Sequence, residues 1–131
     1  MVFVMQGNFI HLRTHTRLSI GASTLRVKDI PKLCAENGMF ACAITDTNMM
    51  SGCAEFSDVM PSAKIQPIIG VEISLNHHTA DPKILRESSL SRVVLLAQNH
   101  AGYLNLCELS RIMYMRDENH HLGPYITFEE L

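Results

Sequence analysis

The chain carries two related stretches, His11-Leu12-Arg13-Thr14-His15-Thr16 and Ala43-Ile44-Thr45-Asp46-Thr47-Asn48, each of which ends a short apolar run with polar residues. A strand ending in His-x-His, followed about thirty residues later by a strand ending in Asp-His, would bring imidazole and carboxylate groups to one end of a parallel sheet. Here Arg13 takes the first histidine position and Thr47 follows Asp46, and neither side chain binds a divalent metal. The pattern indicates a metal site in which some ligands are replaced.

The composition is that of one soluble globular domain, or of part of a larger one: 131 residues, 47% of them hydrophobic, with a formal net charge of -2. Eleven Lys+Arg against thirteen Asp+Glu create no basic field that could hold nucleic acid through its phosphates, so direct nucleic acid contact is not expected. The apolar start, residues 1–5, is too short for a signal peptide or a membrane span, so no membrane association is expected.

The four cysteines form no C-x-x-C pair. Cys34, Cys42 and Cys107 fall inside apolar periodic segments, where a buried free thiol is the ordinary interpretation. This usage favours a reducing, cytoplasmic location. The histidine pairs at 77–78 and 120–121 lie in polar stretches and are predicted to be solvated, because adjacent residues rarely point to one metal centre.

Hydrophobic periodicity predicts strands that alternate with helices. The predicted strands are 8–15, 39–45, 65–75 and 93–97, and the predicted helices are 24–37, 51–60 and 101–115. The polar stretch 76–91 is predicted to be a loop, and Thr127 with Glu130 has the form of a capping box at the start of a further helix. Five residues of the last helix are predicted to face the core: Leu104, Leu106, Leu109, Ile112 and Met113.

Alternating strands and helices predict an α/β fold with a mostly parallel sheet, whose functional groups collect beyond the carboxyl ends of the strands. His15, Asp46 and Glu72 all fall at or near such ends. A purely structural interpretation stays open: His15 is a hydrogen-bonded histidine, Asp46 caps the following helix, and Glu72 pairs with an arginine.

Five blocks, in order, carry a resemblance to a known family. They are Phe9-Ile10-His11-Leu12-Arg13-Thr14-His15, Gly21-Ala22-Ser23, Ala43 to Asn48, Ile65-Gln66-Pro67-Ile68-Ile69-Gly70-Val71-Glu72, and Val94 to Leu106. They resemble the polymerase and histidinol phosphatase (PHP) domain at the N-terminus of the alpha subunit of bacterial DNA polymerase III. The resemblance implies that residues 1–131 are the N-terminal part of a distorted, TIM-like, seven-stranded βα barrel.

The same resemblance implies a three-metal site at the C-terminal ends of the strands, which hydrolyses phosphate esters in members that hold metal. His15 and Glu72 match ligand positions, and Asp46 lies beside one. Arg13, Thr47 and Arg92 stand where metal-binding members have histidines; the family's acidic position before the first helix is also missing, and its remaining ligands lie past residue 131. Since a metal site needs three or four convergent donors, no metal, cofactor or catalysis is expected.

The replacements follow a physical logic, since carboxylates that lose their metal need another positive charge. The guanidinium groups of Arg13 and Arg92 are expected to supply that charge near Glu72 and Asp46. The alternative is that both arginines point into solvent at strand ends.

The function that the resemblance implies is a structural one within a DNA-directed DNA polymerase (a nucleotidyltransferase) of bacterial DNA replication. The expected partners are the remainder of the alpha subunit, which carries the polymerase carboxylates, and a proofreading exonuclease subunit that docks on this domain. Two alternatives stay open. One is a metal-dependent phosphoesterase or intrinsic proofreading exonuclease, and the other is a truncated or decayed gene product.

Overall fold

A computed structural model describes residues 9–76, 90–116 and 123–131. The predicted histidine pairs at 77–78 and 120–121 lie outside these residues. The helices and strands follow in the order α1 (Ile30–Glu36), β1 (Ala41–Ile44), α2 (Cys53–Val59), β2 (Gln66–Asn76), β3 (Leu90–Leu96), α3 (His100–Met115) and β4 (Ile126–Thr127). Short 3-10 turns precede α1, follow α2 and follow β4, at Val27–Asp29, Pro61–Ala63 and Phe128–Glu130. None of the helices in the described ranges is long and apolar enough to cross a membrane.

Strand β2 is the centre of the sheet. Strand β1 runs parallel to its first half, with Ala41 opposite Gln66, and β3 runs antiparallel to its second half. Strand β4 pairs in parallel with the last two residues of β2. Because β3 occupies one edge of that second half, β4 lies on the other edge, in line with β1. The predicted α/β class with a mostly parallel sheet is confirmed.

The antiparallel direction of β3 was not predicted. Parallel neighbours need a crossover of about a dozen residues, usually a helix, whereas antiparallel neighbours accept a plain loop. The segment 77–89, which lies outside the described residues, is polar and shows no helical periodicity in the sequence. The chain can therefore return beside β2 in the opposite direction.

The N-terminal segment was predicted as a strand over residues 8–15, but residues 9–16 form only one isolated bridge, between His11 and Cys42. The carbonyls of His11 and Thr14 accept from the amides of Ala43 and Thr45 at 2.8 and 2.9 Å, so the segment does run beside β1. A regular ladder fails because the amide of Thr14 donates to the side-chain hydroxyl of Thr45 (2.8 Å) instead of a backbone carbonyl.

Helix α1 begins six residues later than predicted. Pro31 has no amide hydrogen and therefore fits only the first turn of a helix, which places that turn at Ile30. The predicted stop at Gly38 is confirmed, since this glycine adopts φ +66° just past the helix end.

Two apolar clusters cover one face of the sheet. The first joins α1 and α2 to β1 through Ile30, Cys34, Cys42, Ile44 and Phe56. The second joins α3 to β2 through Val71, Ile73, Leu106 and Met113. The core prediction for α3 is wrong for Leu104, which is 52% exposed because it lies two positions, or about 200°, from the buried Leu106.

The predicted capping box is confirmed. The backbone of Thr127 donates to the Glu130 carboxylate at 2.8 Å, and the Thr127 side chain accepts the reciprocal bond. The carboxylate also accepts a hydrogen bond from Nη2 of Arg116, at the end of α3, at 2.6 Å. The capping box therefore lies at the start of a single 3-10 turn, and Arg116 links that turn to α3.

Candidate functional site around Glu72

The carboxyl group of Glu72 lies at the centre of the candidate site and is 1% exposed. Its backbone N–H donates to the carbonyl of Asp46, and its own carbonyl accepts from the amide of Asn48, so the loop after β1 is held beside it. Neighbouring Val71 and Ile73 pack beneath α3, and alternation along the strand turns Glu72 to the opposite face. A carboxylate buried in this way needs partners.

Arg13 is the first partner. Its Nε donates to Glu72 Oε1 at 2.7 Å, and its Nη2 lies 2.6 Å from the same oxygen. The predicted pairing of Arg13 with Glu72 is therefore confirmed, and the alternative of an Arg13 directed away from Glu72 is wrong. The arginine side chain is nevertheless 61% exposed, so it reaches the buried carboxylate from solvent.

The second oxygen, Oε2, meets three further side chains. Arg92 from β3 donates from Nη1 at 3.2 Å, and Thr47 donates from Oγ1 at 3.3 Å. His15 Nε2 also lies 3.2 Å away. Its direction does not suit a hydrogen bond, and this buried nitrogen has no other hydrogen-bond partner. The contact is thus electrostatic rather than a hydrogen bond.

The electrostatic environment keeps Glu72 ionised. Burial raises the pKa of its carboxyl, but the hydrogen bond from Arg13, the charges of His15 and Arg13, and the hydrogen bond from Arg92 outweigh burial. The net pKa lies below the ordinary value of 4.5. We refer to Glu72, Arg13, His15, Thr47 and Arg92 as the Glu72 cluster.

Asp46 is held separately, by neutral donors. Its Oδ1 accepts from the backbone N–H of Thr16 and the hydroxyl of Ser19, both at 2.6 Å, and its Oδ2 accepts from the Thr16 hydroxyl at 2.7 Å. The expectation that the arginines also neutralise Asp46 is wrong among the described contacts, because both guanidinium groups contact Glu72 instead.

The two hydroxyl residues that bind Asp46 were not identified from the sequence. Thr16 is fully buried and Ser19 is 3% exposed, yet neither belongs to a motif that would single it out. The alternative in which Asp46 caps the following helix is wrong, since Gly52 is the N-cap of α2 and no side chain caps it. Asp46 instead accepts hydrogen bonds that hold the segment 16–19 at the end of β1.

Asn48 is a third residue to which the sequence analysis assigned no role. It adopts φ +55°, a conformation that Asn tolerates better than most residues. Its Oδ1 accepts from the amide of Ser74 at 2.7 Å, and its Nδ2 donates to the carbonyl of Pro124 at 3.1 Å. It thereby joins the loop after β1 to β2, two residues beyond Glu72, and to the residues that lead into β4.

The residues present do not fit the metal site that the resemblance implies. Among residues 9–76, 90–116 and 123–131, no three His, Cys, Asp or Glu side chains are grouped as a metal ion requires. In the part of the chain that the structure describes, His15 is the histidine that contacts Glu72, and the Glu72 oxygens already face guanidinium groups. A divalent cation would have to displace or repel Arg13 and Arg92.

A cleft of about 530 Å³ opens beside Arg13 and His15, and its far wall is apolar, with Leu25, Ile30 and Leu33. The Cys34 thiol that lines it is a poor nucleophile, because burial raises its pKa to about 12. The cleft therefore offers the exposed positive charge of Arg13 beside an unreactive Cys34 thiol.

Comparison with known proteins identifies relatives over almost the whole chain. A family model described as "PHP domain" matches residues 11–131. DNA polymerase III subunit alpha of Haemophilus influenzae is 36% identical over 121 residues, covering 92% of this chain and 10% of that protein. The Pseudomonas aeruginosa protein of the same name is 40% identical over 105 residues, and the Rickettsia bellii protein is 32% identical over 127 residues. These cover 80% and 97% of this chain, and 8% and 10% of the relatives.

One solved structure adds evidence on the fold alone. An amidohydrolase from Chromobacterium violaceum, determined with bound sulfate and no metal, superposes with a TM-score of 0.57. The match covers 79% of this chain and 32% of that protein at 23% sequence identity. The chain thus shares an architecture with this protein, and it spans about a tenth of the length of the curated relatives it matches.

Proposed function

This chain belongs to the PHP domain family, and we propose that it is the N-terminal PHP segment of a bacterial, cytoplasmic DNA polymerase III alpha subunit with a degenerate metal site. In this proposal the parent protein is the DNA-directed DNA polymerase of replication, and nucleotidyl transfer belongs to the rest of it. The segment itself has a structural role and helps to dock a proofreading exonuclease subunit.

The side chains that surround the Glu72 carboxylate support the degenerate metal site in this proposal. Four side chains from three separate parts of the chain surround the two Glu72 oxygens; three of them donate hydrogen bonds, and two of those carry permanently charged guanidinium groups. A metal-dependent phosphoesterase would need those positions for neutral imidazole ligands, because only unprotonated nitrogen binds a metal. The phosphoesterase alternative has no such support among the described residues.

The metal part of the proposal is tested on the purified full-length protein, prepared without chelator. We expect elemental analysis to find no stoichiometric zinc or manganese assigned to this segment, and no hydrolysis of a phosphate monoester after either ion is added. Close to one tightly held metal per segment, or metal-dependent hydrolysis abolished by Glu72→Gln, would overturn it.

The docking part is tested by hydrogen exchange of the full-length protein with and without the proofreading exonuclease subunit. We expect slower exchange somewhere within residues 9–131 when the exonuclease is bound, because interface amides lose contact with water. Protection confined to other regions would contradict docking on this segment and leave its family membership intact.

A further inference from the structure

The Glu72 cluster joins parts of the chain that are distant in sequence. Arg13 and His15 come from the N-terminal segment, Thr47 from the loop after β1, and Arg92 from β3. The contacts from Arg13, Thr47 and Arg92 span 59, 25 and 20 residues, respectively. One buried carboxylate is therefore the meeting point of both edges of the sheet.

Two sets of contacts hold the N-terminal segment: hydrogen bonds to β1 and its continuation, and the side chains that reach Glu72 on β2. In the first set, its backbone accepts from the amides of Ala43 and Thr45, and Thr14 exchanges two more hydrogen bonds with the Thr45 hydroxyl, without forming a regular ladder. Thr16 is anchored to Asp46 at the far end. Between these points, Arg13 and His15 make the contacts that hold the segment against β2.

The charges suit a permanent attachment. Glu72 is buried and ionised, so it retains a strong demand for positive charge. Arg13 and Arg92 are 61% and 55% exposed, so each keeps much of its hydration while its tip reaches the carboxylate. A guanidinium group cannot lose its proton near neutral pH, and the attachment therefore needs no bound ion.

From these contacts we propose that the Glu72 cluster is an internal fastener, in which Arg13 and Arg92 hold the N-terminal segment, β2 and β3 together in place of metal ions. This inference rests on the proposed degenerate metal site. It adds a mechanical role for the arginines that replaced the ligands, and it makes docking of residues 11–15 dependent on the charge of Glu72.

The test reads amide hydrogen exchange at Ala43 and Thr45 in the full-length protein, since both amides donate to the N-terminal segment. With Glu72→Gln we expect exchange at these two amides to accelerate at least about tenfold, because local opening of the segment becomes easier. Amides inside α2, such as Phe56, which donates to Gly52, are expected to exchange at the unchanged rate. Equal rates at Ala43 and Thr45 in both proteins would overturn the proposal.

Arg13→Met is the second variant, and it stays informative if Glu72→Gln does not fold, because Arg13 is largely exposed. We expect the same acceleration at Ala43 and Thr45, to a smaller extent, since Arg92 still neutralises Glu72. Arg17→Met is the matched control: Arg17 lies on the same stretch, is exposed, and makes no ion pair among the described residues. Acceleration by Arg17→Met equal to that by Arg13→Met would refute the specific role.

A chelator distinguishes this inference from the proposed function. Adding EDTA to the wild-type protein is expected to leave exchange at Ala43 and Thr45 unchanged. Acceleration by EDTA would show that an ion holds the site and would refute the degenerate metal site. Insensitivity to Glu72→Gln and to Arg13→Met would instead refute the fastener and leave the family assignment and the docking proposal standing.

Discussion

Replacing Glu72 by alanine measures how much the buried carboxylate contributes to the stability of the domain. Breaking a fully buried ion pair costs roughly 3–5 kcal/mol when the other charge stays buried and unpaired. Here both guanidinium partners are more than half exposed and regain water after the change. The expected loss is therefore about 2–3 kcal/mol, from the lost charge-assisted hydrogen bonds and the cavity left behind.

The partner changes separate the charge effect from packing. Arg13→Met alone should cost about 1–2 kcal/mol, because Glu72 keeps Arg92 and Thr47. Glu72→Met combined with Arg13→Met should cost less than about 1.5 kcal/mol, since the penalty for burying the carboxylate disappears. The single changes Glu72→Met and Arg13→Met, measured beside the double variant, are thus expected to be non-additive by at least about 1 kcal/mol.

The assay is urea-dependent labelling of Cys34 and Cys42 in the full-length protein, followed by peptide mass spectrometry. Both thiols are buried, 3% and 2% exposed, so they react only when this part of the protein unfolds. A double Met variant of the exposed ion pair Glu108–Arg111 on α3 is the control and should leave the midpoint unchanged. Additive single changes, or a Glu72→Ala midpoint equal to wild type, would show that the pairing of Glu72 with Arg13 does not stabilise the domain.

Three further predictions use the same labelling assay. Burial raises the pKa of Glu72, but its contacts with arginine and histidine lower it overall, so the ionised carboxylate stabilises the fold at pH values above the ordinary pKa of 4.5. This contribution is lost as the pH falls through the lowered pKa. Glu72→Gln should therefore flatten the acid dependence of stability below pH 4.5, and an unchanged dependence would contradict the assignment. Gly70→Ala should cost about 1–3 kcal/mol, because the added Cβ would lie 2.6 Å from the Leu95 carbonyl oxygen. In the control Gly102→Ala the added Cβ lies 3.5 Å from its nearest atom, so this change should be neutral or stabilising. Equal effects of the two changes would refute the predicted clash. Asn48→Ala should cost about 2–3 kcal/mol, because it loses the hydrogen bonds to Ser74 and Pro124. Asn48→Gly loses the same bonds but should cost about 1 kcal/mol less, because glycine adopts φ +55° without strain. If alanine is tolerated as well as glycine, the backbone conformation of Asn48 carries no strain.

The pairing of Arg13 with Glu72 was predicted from the resemblance, which places both residues at positions of one metal site, while the alternative of an arginine in solvent stayed open. Strand periodicity alone does not give this contact, because Glu72 lies within β2 and Arg13, 59 residues away, lies on a segment that forms no regular strand. The α/β class was predicted from the alternation of strand and helix patterns along the sequence. A nearly continuous apolar run, such as residues 39–45, is typical of a strand covered on both faces.

Features that depend on tertiary context escaped prediction. The direction of β3 is decided by how the chain returns after β2, which apolar periodicity does not encode. The exposure of Leu104 reflects which face of α3 meets the sheet. The hydroxyl groups of Thr16 and Ser19 donate to Asp46 because the fold brings the segment 16–19 next to its carboxylate. Nothing in their local sequence indicates a buried acceptor.

The most direct test of the central claim, that guanidinium groups rather than metal ions neutralise Glu72, is a crystal structure of the full-length protein grown with zinc or manganese and recorded at that metal's absorption edge. We expect the Arg13 and Arg92 nitrogens to lie within about 3.3 Å of the Glu72 oxygens, the ordinary range of charge-assisted hydrogen bonds, with no anomalous peak beside them. An anomalous peak between His15 and Glu72, with Arg13 turned away, would contradict the claim.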